Sequence, residues 1–281
     1  MNNGRRSRFL LTTLCFGLAF LYVPMVLLVV YSFNKSKLVP VWGGFSTRWY
    51  GVLFESEEIW DAVGLSLQVA TVNACFATLL GTLAGLALVR FGRFRGRTLF
   101  TGMITAPLVM PEVITGLSLL LLFITLKEFI GWPDQRGFTT ITIAHITFSM
   151  AYVAVIIQSR LAGMAQDLEE AAQDLGAKPL RVLTDITLPL LAPGMLAGWL
   201  LSFTLSLDDL IIASFVTGPG ATTLPILIYS RIRLGLRPDI NALATIIILV
   251  VAIGVLVAGY IMLRQQRQRE LELRMTAEET P

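Results

Sequence analysis

Long apolar stretches separated by short polar segments run the length of the chain. Six of them, at 9–33, 63–89, 99–126, 139–159, 190–216 and 240–263, carry very few charged residues. Each reaches the length of about 20 residues that a helix needs to cross the hydrocarbon core of a bilayer. The pattern therefore predicts an all-α membrane protein with about six transmembrane helices.

Composition supports this fold class: 55% of the residues are hydrophobic, 15% are charged, and the mean hydropathy is +0.72. No polar segment is long enough to fold alone, so 1–281 is predicted to be a single transmembrane domain with a polar loop at 160–190. Cys15, Cys75 and His145 fall inside apolar stretches, where we expect packing roles. The chain offers no metal site and no catalytic set of nucleophile and base.

Lys and Arg residues are distributed unevenly between the two ends of the predicted spans. Fourteen of the 22 fall in the terminal segments and in the loops after the second and fourth spans. Because cytoplasmic segments retain basic residues, we expect both termini and the 160–190 loop to face the cytoplasm. The net charge of +3 does not predict binding to nucleic acid, because the basic residues lie where they can contact anionic lipid headgroups.

Prolines and glycines interrupt two of the spans. Pro107 and Pro111 remove backbone donors early in the third span and predict a kink or an unwound turn. Gly218-Pro219-Gly220 and Pro225 follow the fifth span and predict a re-entrant or interfacial hairpin. Irregular backbone at membrane depth is tolerated where it is buried or lines a cavity.

Three carboxylates lie inside the predicted spans: Glu112 in the third, and Asp208 with Asp209 in the fifth. Charges are costly in lipid and by default mark a pathway or a binding site. Counted along their helices, the two positions fall at similar depth, where both can face one lumen. Carboxylates without nearby bases attract a cation.

Each of these carboxylates also has a structural alternative. Asp208 and Asp209 point about 100° apart on a helix, so one is expected to face the lumen. The other then caps a helix end or pairs with Arg231 or Arg233. Glu112 follows a proline directly and can instead satisfy backbone donors that a kink exposes.

The 160–190 loop contains two helix-forming pieces split by Gly176 and bounded by Pro189. A turn between spans needs far fewer residues, so this loop has a defined shape. Its spacing is similar to the coupling motif of permease subunits of ATP-binding-cassette (ABC) importers, through Glu170, Ala171, Ala172, Gly176, Ile186, Leu188 and Pro189.

This resemblance implies a type I ABC importer permease fold, in which a short helix of the loop docks on a separate ATPase. It assigns the coupling role to Glu170, Ala171, Ala172, Gly176, Leu188 and Pro189. The chain has no G-x-x-x-x-G-K-[ST] loop. It is therefore expected to bind no cofactor itself and not to be an enzyme, with ATP and Mg²⁺ held by the partner subunits.

The whole chain resembles the second permease subunit of bacterial putrescine and spermidine importers. The resemblance runs from about residue 20 to 260 and rests on the segments VPVWGGFSTRWYG, ITAPLVMPEVITGLSLLLLF, AHITFSMAYVAVIIQSRL, FTLSLDDLIIASFVTGPGATTLPILIYS and INALATIII. It departs at the termini and near Asp134. It implies a cation path through Trp49, Glu112, Asp208 and Asp209; for Trp49, a place in an interfacial aromatic belt is the alternative.

The same resemblance implies a bacterial inner-membrane location and a set of partners. These are a second, non-identical permease, two ATPase subunits and an extracytoplasmic polyamine-binding protein. Two other functions are weighed against a polyamine importer. A permease for another solute, such as molybdate, sulfate or ferric ion, shares the coupling loop, but an oxyanion has little use for three acids. An ion-driven secondary transporter would use the acids as proton sites but would not need the loop.

Overall fold

The structure, a computed structural model, describes the backbone of residues 3–37, 41–165, 167–235 and 238–278. Within these ranges it describes the side chains of residues 9–264 and 266–268. The described residues form helices joined by turns, with one isolated β-bridge between Asn34 and Phe45. The helices are α1 (Asn3–Ser32), α2 (Arg48–Phe54), α3 (Glu57–Arg90), α4 (Arg97–Val109), α5 (Glu112–Ile130), α6 (Phe138–Ala162), α7 (Asp167–Asp174), α8 (Pro179–Val182), a π-helical turn (Leu183–Thr187), α9 (Leu188–Asp208), α10 (Ile211–Val216), α11 (Leu224–Leu234) and α12 (Pro238–Glu278).

Within the described residues, six helical segments are long and apolar enough to cross a membrane. They are Phe9–Ser32, Glu57–Arg90, Glu112–Ile130, Phe138–Ala162, Pro179–Asp208 and Pro238–Gln268. The all-α fold class with about six transmembrane helices, predicted from the apolar pattern, is confirmed.

Two of the predicted spans need corrected limits. The 99–126 stretch is two helices, because Met110 is extended (ψ 137°) and Pro111, which has no N–H, follows it before α5 begins. The 190–216 stretch also divides: α9 ends at Asp208, Asp209 is extended (ψ 120°), and α10 begins at Ile211. Both intramembrane acid sites therefore lie at helix breaks.

The chain separates into two compact units. The first holds the residues up to Glu57 and those from Arg231 onward, and in it α12 packs against α1 and α2. The turn after α1 is organised by the buried side chain of Asn34. Its Oδ1 accepts from the amides of Ser36 (3.1 Å) and Gly43 (2.8 Å), and its Nδ2 donates to the carbonyl of Val41 (2.8 Å).

The second unit, from Glu58 to Ser230, is built around α6, which packs against α4, α9 and α10. Small residues let α3 approach α6 closely. A Cβ at Gly81 would lie 2.6 Å from Cβ of Val153, and a Cβ at Gly85 would lie 2.8 Å from Cγ2 of Ile157. Gly198 of α9 faces Val153 from another side, and a Cβ at Gly198 would lie 3.1 Å from Cγ1 of Val153. Such small-residue contacts are the usual means of joining helices in lipid.

The close approach of α3 to α6 predicts the effect of a methyl group at Gly81. Gly81→Ala would place its Cβ 2.6 Å from Val153 and 2.8 Å from the carbonyl oxygen of Met150, which is backbone and cannot rotate away. Overpacking of this kind costs about 1–3 kcal/mol. We expect a lower midpoint of thermal unfolding in detergent.

Gly64→Ala is the matched control, because it lies in the same helix and its added Cβ would meet nothing within 4 Å. Equal unfolding midpoints for the two variants would contradict the close α3–α6 contact.

Candidate functional site

Helices α5 and α10 run parallel to each other and antiparallel to α6. The end of α10 lies near the start of α6, because Thr140 Oγ1 donates to the carbonyl of Val216 (2.8 Å). The end of α5 lies on the same side, because residues 131–137 alone separate it from the start of α6 and Arg136 of this connection donates to the carbonyl of Phe215 in α10 (3.2 Å). Gly116 of α5 faces α10, where an added Cβ would lie 3.3 Å from Cα of Ile212.

The two helix breaks therefore lie at the same end of a parallel helix pair. Glu112 begins α5 one turn before Gly116, and Asp209 stands three residues before Ile212. The structure thus brings the acids of the third and fifth predicted spans to one level of the second unit.

Asp209 is held inside the fold by three hydrogen bonds. Its Oδ1 accepts from the amide of Ile212 (3.3 Å), and its Oδ2 accepts from the amide of Ala213 (2.7 Å), so it caps α10. Its Oδ2 also lies 3.0 Å from Nε2 of His145. The side chain is only 11% exposed.

His145 is buried and links three helices. Its Nδ1 lies 2.7 Å from the hydroxyl of Ser206 in α9, and its Nε2 faces Asp209 at the start of α10. Nε2 can donate to the Asp209 carboxylate, and the direction of the bond between Nδ1 and the Ser206 hydroxyl follows from the tautomer of the ring. The packing role expected for His145 is thus a specific polar one. No sequence signal pairs it with residues 61 and 64 positions away.

Asp208 and Glu112 are exposed on the surface of the chain, in contrast to Asp209. Arg231, one of the partners considered for the aspartate pair, instead forms an ion pair with Asp239, with 2.8 Å between Nη1 and Oδ2. Of the two structural alternatives for Asp209, the helix cap is the one that the structure contains. Asp208 keeps an exposed carboxylate at the end of α9.

A second buried polar link joins α6 and α9 to α3 at another level. Nδ2 of Asn73 in α3 donates to the carbonyl of Ser202 in α9 (2.8 Å) and to the hydroxyl of Ser149 in α6 (3.2 Å). All three residues are buried. Sequence reasoning missed this link, because Asn73 is one amide inside a long apolar stretch.

Trp49 lies in the first unit, whereas the three acids lie in the second. Its ring is 6% exposed, and its indole N–H donates to the carbonyl of Asn34 (2.7 Å). It borders a cavity of about 330 Å³ together with Lys37 and Arg48, and the Arg48 guanidinium lies 5.5 Å from its ring centroid. These contacts give Trp49 a structural task; its place in a substrate path stays a prediction.

The polar loop forms two helices on either side of Gly176, which has a left-handed backbone (φ +86°). Glu170 and Ala171 are exposed on α7, Ala172 is half-buried, and Leu188 and Pro189 begin α9. Leu175 and Leu180 expose 91% and 72% of their surface. A polar helix followed by two exposed leucines is a surface suited to a protein partner.

Glu169 is the residue of this loop that sequence reasoning passed over. Its carboxylate lies 3.1 Å from Nε and 3.2 Å from Nη2 of Arg90, and it accepts from the Thr187 hydroxyl (2.9 Å). The only hint in the sequence is that Glu169 directly precedes Glu170, the first residue of the coupling motif. Arg90 stands 79 positions away and could not be paired with it.

The family profile described as "Binding-protein-dependent transport system inner membrane component" matches residues 77–270. The chain belongs to this family. The matched segment includes the coupling loop, Glu112 and the aspartate pair, but not Trp49. The resemblance to ABC importer permeases inferred from the sequence is confirmed.

Close relatives agree with this membership. The chain is 59% identical to the putrescine transport system permease protein PotI of Escherichia coli (strain K12), over 94% of each chain. It is 42% identical to the spermidine/putrescine transport system permease protein PotC of the same strain, over 88% of this chain and 91% of the relative.

Solved structures show the fold. A bacterial alginate ABC transporter, in complex with an alginate pentasaccharide-bound periplasmic protein, superimposes with a TM-score of 0.69 at 19% identity, over 91% of this chain and 92% of that one. The inward-facing MetNI methionine ABC transporter superimposes with a TM-score of 0.59 at 15% identity, over 78% of this chain and 98% of that one. The fold is that of a type I ABC importer permease.

Membership in this family gives the chain a transport role in the inner membrane, as a multi-pass component, rather than a catalytic one. An ion-driven secondary transporter is therefore set aside.

The different surroundings of Asp208 and Asp209 predict different effects on stability in this family member. Asp209→Ala would leave His145 and the two α10 amides without their acceptor, which costs about 2–4 kcal/mol. Asp208→Ala, at an exposed neighbouring position, should change stability by less than about 0.5 kcal/mol. Denaturant unfolding of the purified chain in detergent measures both. Equal losses for the two variants would show that the cap and the histidine contact do not stabilise the fold.

Proposed function

We propose that this chain is a membrane subunit of an ATP-driven importer of polyamines, with putrescine as its main substrate. The observation that carries the proposal is the 59% identity to PotI over 94% of both chains, against 42% to PotC. The first relative is named for putrescine alone, and the second for spermidine and putrescine. Spermidine is the second candidate substrate.

The proposal includes a set of partners. A second, non-identical permease completes the pathway, two ATPase subunits bind ATP and Mg²⁺, and an extracytoplasmic binding protein delivers the polyamine. The dependence on a binding protein agrees with the family description. A separate ATPase agrees with the absence of a G-x-x-x-x-G-K-[ST] loop from the sequence.

Both termini and the α7–α8 loop face the cytoplasm in this proposal. Six spans return the chain to its starting side, and the basic residues gather on that side. The exposed leucines Leu175 and Leu180, which follow α7, then belong to the surface presented to the ATPase. The exposed carboxylate of Glu170 is free to pair with a basic residue of that subunit.

The cation path uses the exposed carboxylates at the two helix breaks. Putrescine is a short apolar chain with an ammonium group at each end, so its path needs separated anionic points with apolar surface between them. Glu112 is exposed at the start of α5, and Asp208 is exposed at the end of α9, just before α10 begins. Asp209 lies at the same level, but its oxygens are taken up by His145 and α10. Asp208 is the member of the pair that faces substrate.

The contrast between the exposed Asp208 and the hydrogen-bonded Asp209 predicts the transport behaviour of Asp208 variants. In proteoliposomes of the full complex, Asp208→Asn should reduce ATP-dependent putrescine uptake at least about tenfold, because the negative charge is lost at constant size. Asp208→Glu keeps the charge and should keep most of the uptake. Stimulation of ATP hydrolysis by the binding protein should persist in both. Unchanged uptake by Asp208→Asn would remove this residue from the path, and Glu112→Gln tests the second carboxylate in the same way.

The coupling surface predicts a different defect for Glu170→Ala. Losing this exposed carboxylate should weaken the attachment of the ATPase subunits, so that less ATPase is recovered with the purified complex and uptake falls by about tenfold or more. Ser159→Ala is the control, since Ser159 is exposed near the end of α6 but outside the coupling helices. Full recovery of the ATPase with normal uptake would contradict the coupling role of Glu170.

A further inference from the structure

The carboxylate of Glu169 is a junction between three parts of the second unit. Glu169 belongs to α7, Arg90 is the last residue of α3, and Thr187 ends the π-helical turn that leads into α9. Both guanidinium contacts are within 3.2 Å, and the Thr187 hydroxyl lies 2.9 Å from Oε1. One side chain thus joins the loop helix to two of the membrane-spanning segments.

This junction is mostly withdrawn from solvent. The Arg90 and Glu169 side chains are each 14% exposed, and Thr187 is 3% exposed. Exposed ion pairs contribute little, but a charge-assisted arginine–carboxylate hydrogen bond with low exposure is a stronger polar link. Here Nη2 of Arg90 donates that hydrogen bond, and Nε adds an ion-pair contact at 3.1 Å. Glu170, one residue on, is rotated by about 100° and is exposed. The two neighbouring glutamates therefore have different surroundings, one against the fold and one in contact with solvent.

Helix α7 has no apolar anchor that would hold it in place. None of its eight residues is buried. An amphipathic surface helix is normally attached by an apolar stripe, so the polar contacts of Glu169 are the main side-chain attachment of α7 to α3 and to the start of α9. Without them, a displacement of α7 would be absorbed by the connections at its two ends.

The receiving end at α9 is an unusual piece of helix. Leu183–Thr187 form a π-helical turn, and the Thr187 hydroxyl also approaches the carbonyl of Val182 (3.4 Å). Such wide turns are rare and often mark functional sites, because their hydrogen-bond register differs from that of the flanking α-helix. Glu169 contacts the last residue of this turn and so acts on the start of α9.

We propose that Glu169 is a positioning residue that transmits movement between the coupling helix and the spans, by fastening α7 to α3 through Arg90 and to α9 through Thr187. This inference rests on the proposed function. It separates two tasks on adjacent residues: Glu170 attaches the ATPase, and Glu169 carries the movement onward. Signals then pass through Glu169 in both directions, from ATP hydrolysis to the pathway and from the binding protein to the ATPase.

The test is Glu169→Gln in proteoliposomes of the full complex, with three readouts. Recovery of ATPase subunits and basal ATP hydrolysis should stay within about twofold of wild type, because the docking face is intact. Stimulation of hydrolysis by putrescine-loaded binding protein should fall at least about tenfold, together with uptake. Thr187→Val should show the same pattern in weaker form, and Thr184→Val, an exposed threonine of the same turn, should not.

Charge exchange provides the matched control. Glu169→Arg should abolish stimulation, and adding Arg90→Glu should restore at least about half of it by rebuilding the pair in reverse. Adding Arg93→Glu instead should restore nothing, because Arg93 is exposed beyond the end of α3. Equal rescue by both would overturn the proposal.

Two further results would overturn it: Glu169→Gln with normal stimulation and uptake, or Glu169→Gln that loses the ATPase subunits and so acts on docking. If the wild-type complex responds to its binding protein but imports no putrescine, the proposed substrate fails. The stimulation readout still decides the role of Glu169.

Discussion

Hydrocarbon offers no hydrogen-bond partners, and this constraint governs how the second unit is built. A backbone break or a buried polar side chain within a span is costly unless the protein itself supplies a partner. The break after Asp208 is stabilised in this way, because Asp209 accepts two amides of α10. The buried side chains of Asn73 and His145 each bond to other helices and tie them together. Polar groups that would be unfavourable in contact with lipid thus determine which helices meet and at what level.

Helix α6 is the element on which these contacts converge. Small residues of α3 and α9 admit its side chains closely, and its own Ser149 and His145 receive the polar links. Close backbone approach and interhelical hydrogen bonds replace the hydrophobic driving force that lipid does not supply. The parallel pair α5 and α10 is arranged by the same helix, which places Glu112 level with the aspartate pair.

Neighbouring residues take opposite tasks at two places in this chain. Asp209 turns inward to a histidine and a helix start, whereas Asp208 is exposed; Glu169 turns inward to Arg90, whereas Glu170 is exposed. The cause in each case is local geometry. A helical step of about 100°, or a helix end between the two residues, sends identical side chains to different surroundings. One member makes contacts inside the fold, and the other is exposed at the surface.

The membrane class, the number of spans, the helix break at Pro111 and the helix-forming polar loop could be predicted from the sequence, because all of these follow from local composition and short-range spacing. Glu112, Asp208, Asp209 and the loop residues could be singled out for the same reason: each is a charge or a motif that stands out against its immediate neighbours. The partners of Asp209, the Arg90–Glu169 contact and the structural surroundings of Trp49 could not be predicted, and the exact ends of two spans were wrong. Those features depend on contacts between residues up to 79 positions apart, as Arg90 and Glu169 are. Only the packing of α3, α9 and α10 on α6 decides which of them meet, because a one-residue rotation of any helix would exchange the buried partner for an exposed one.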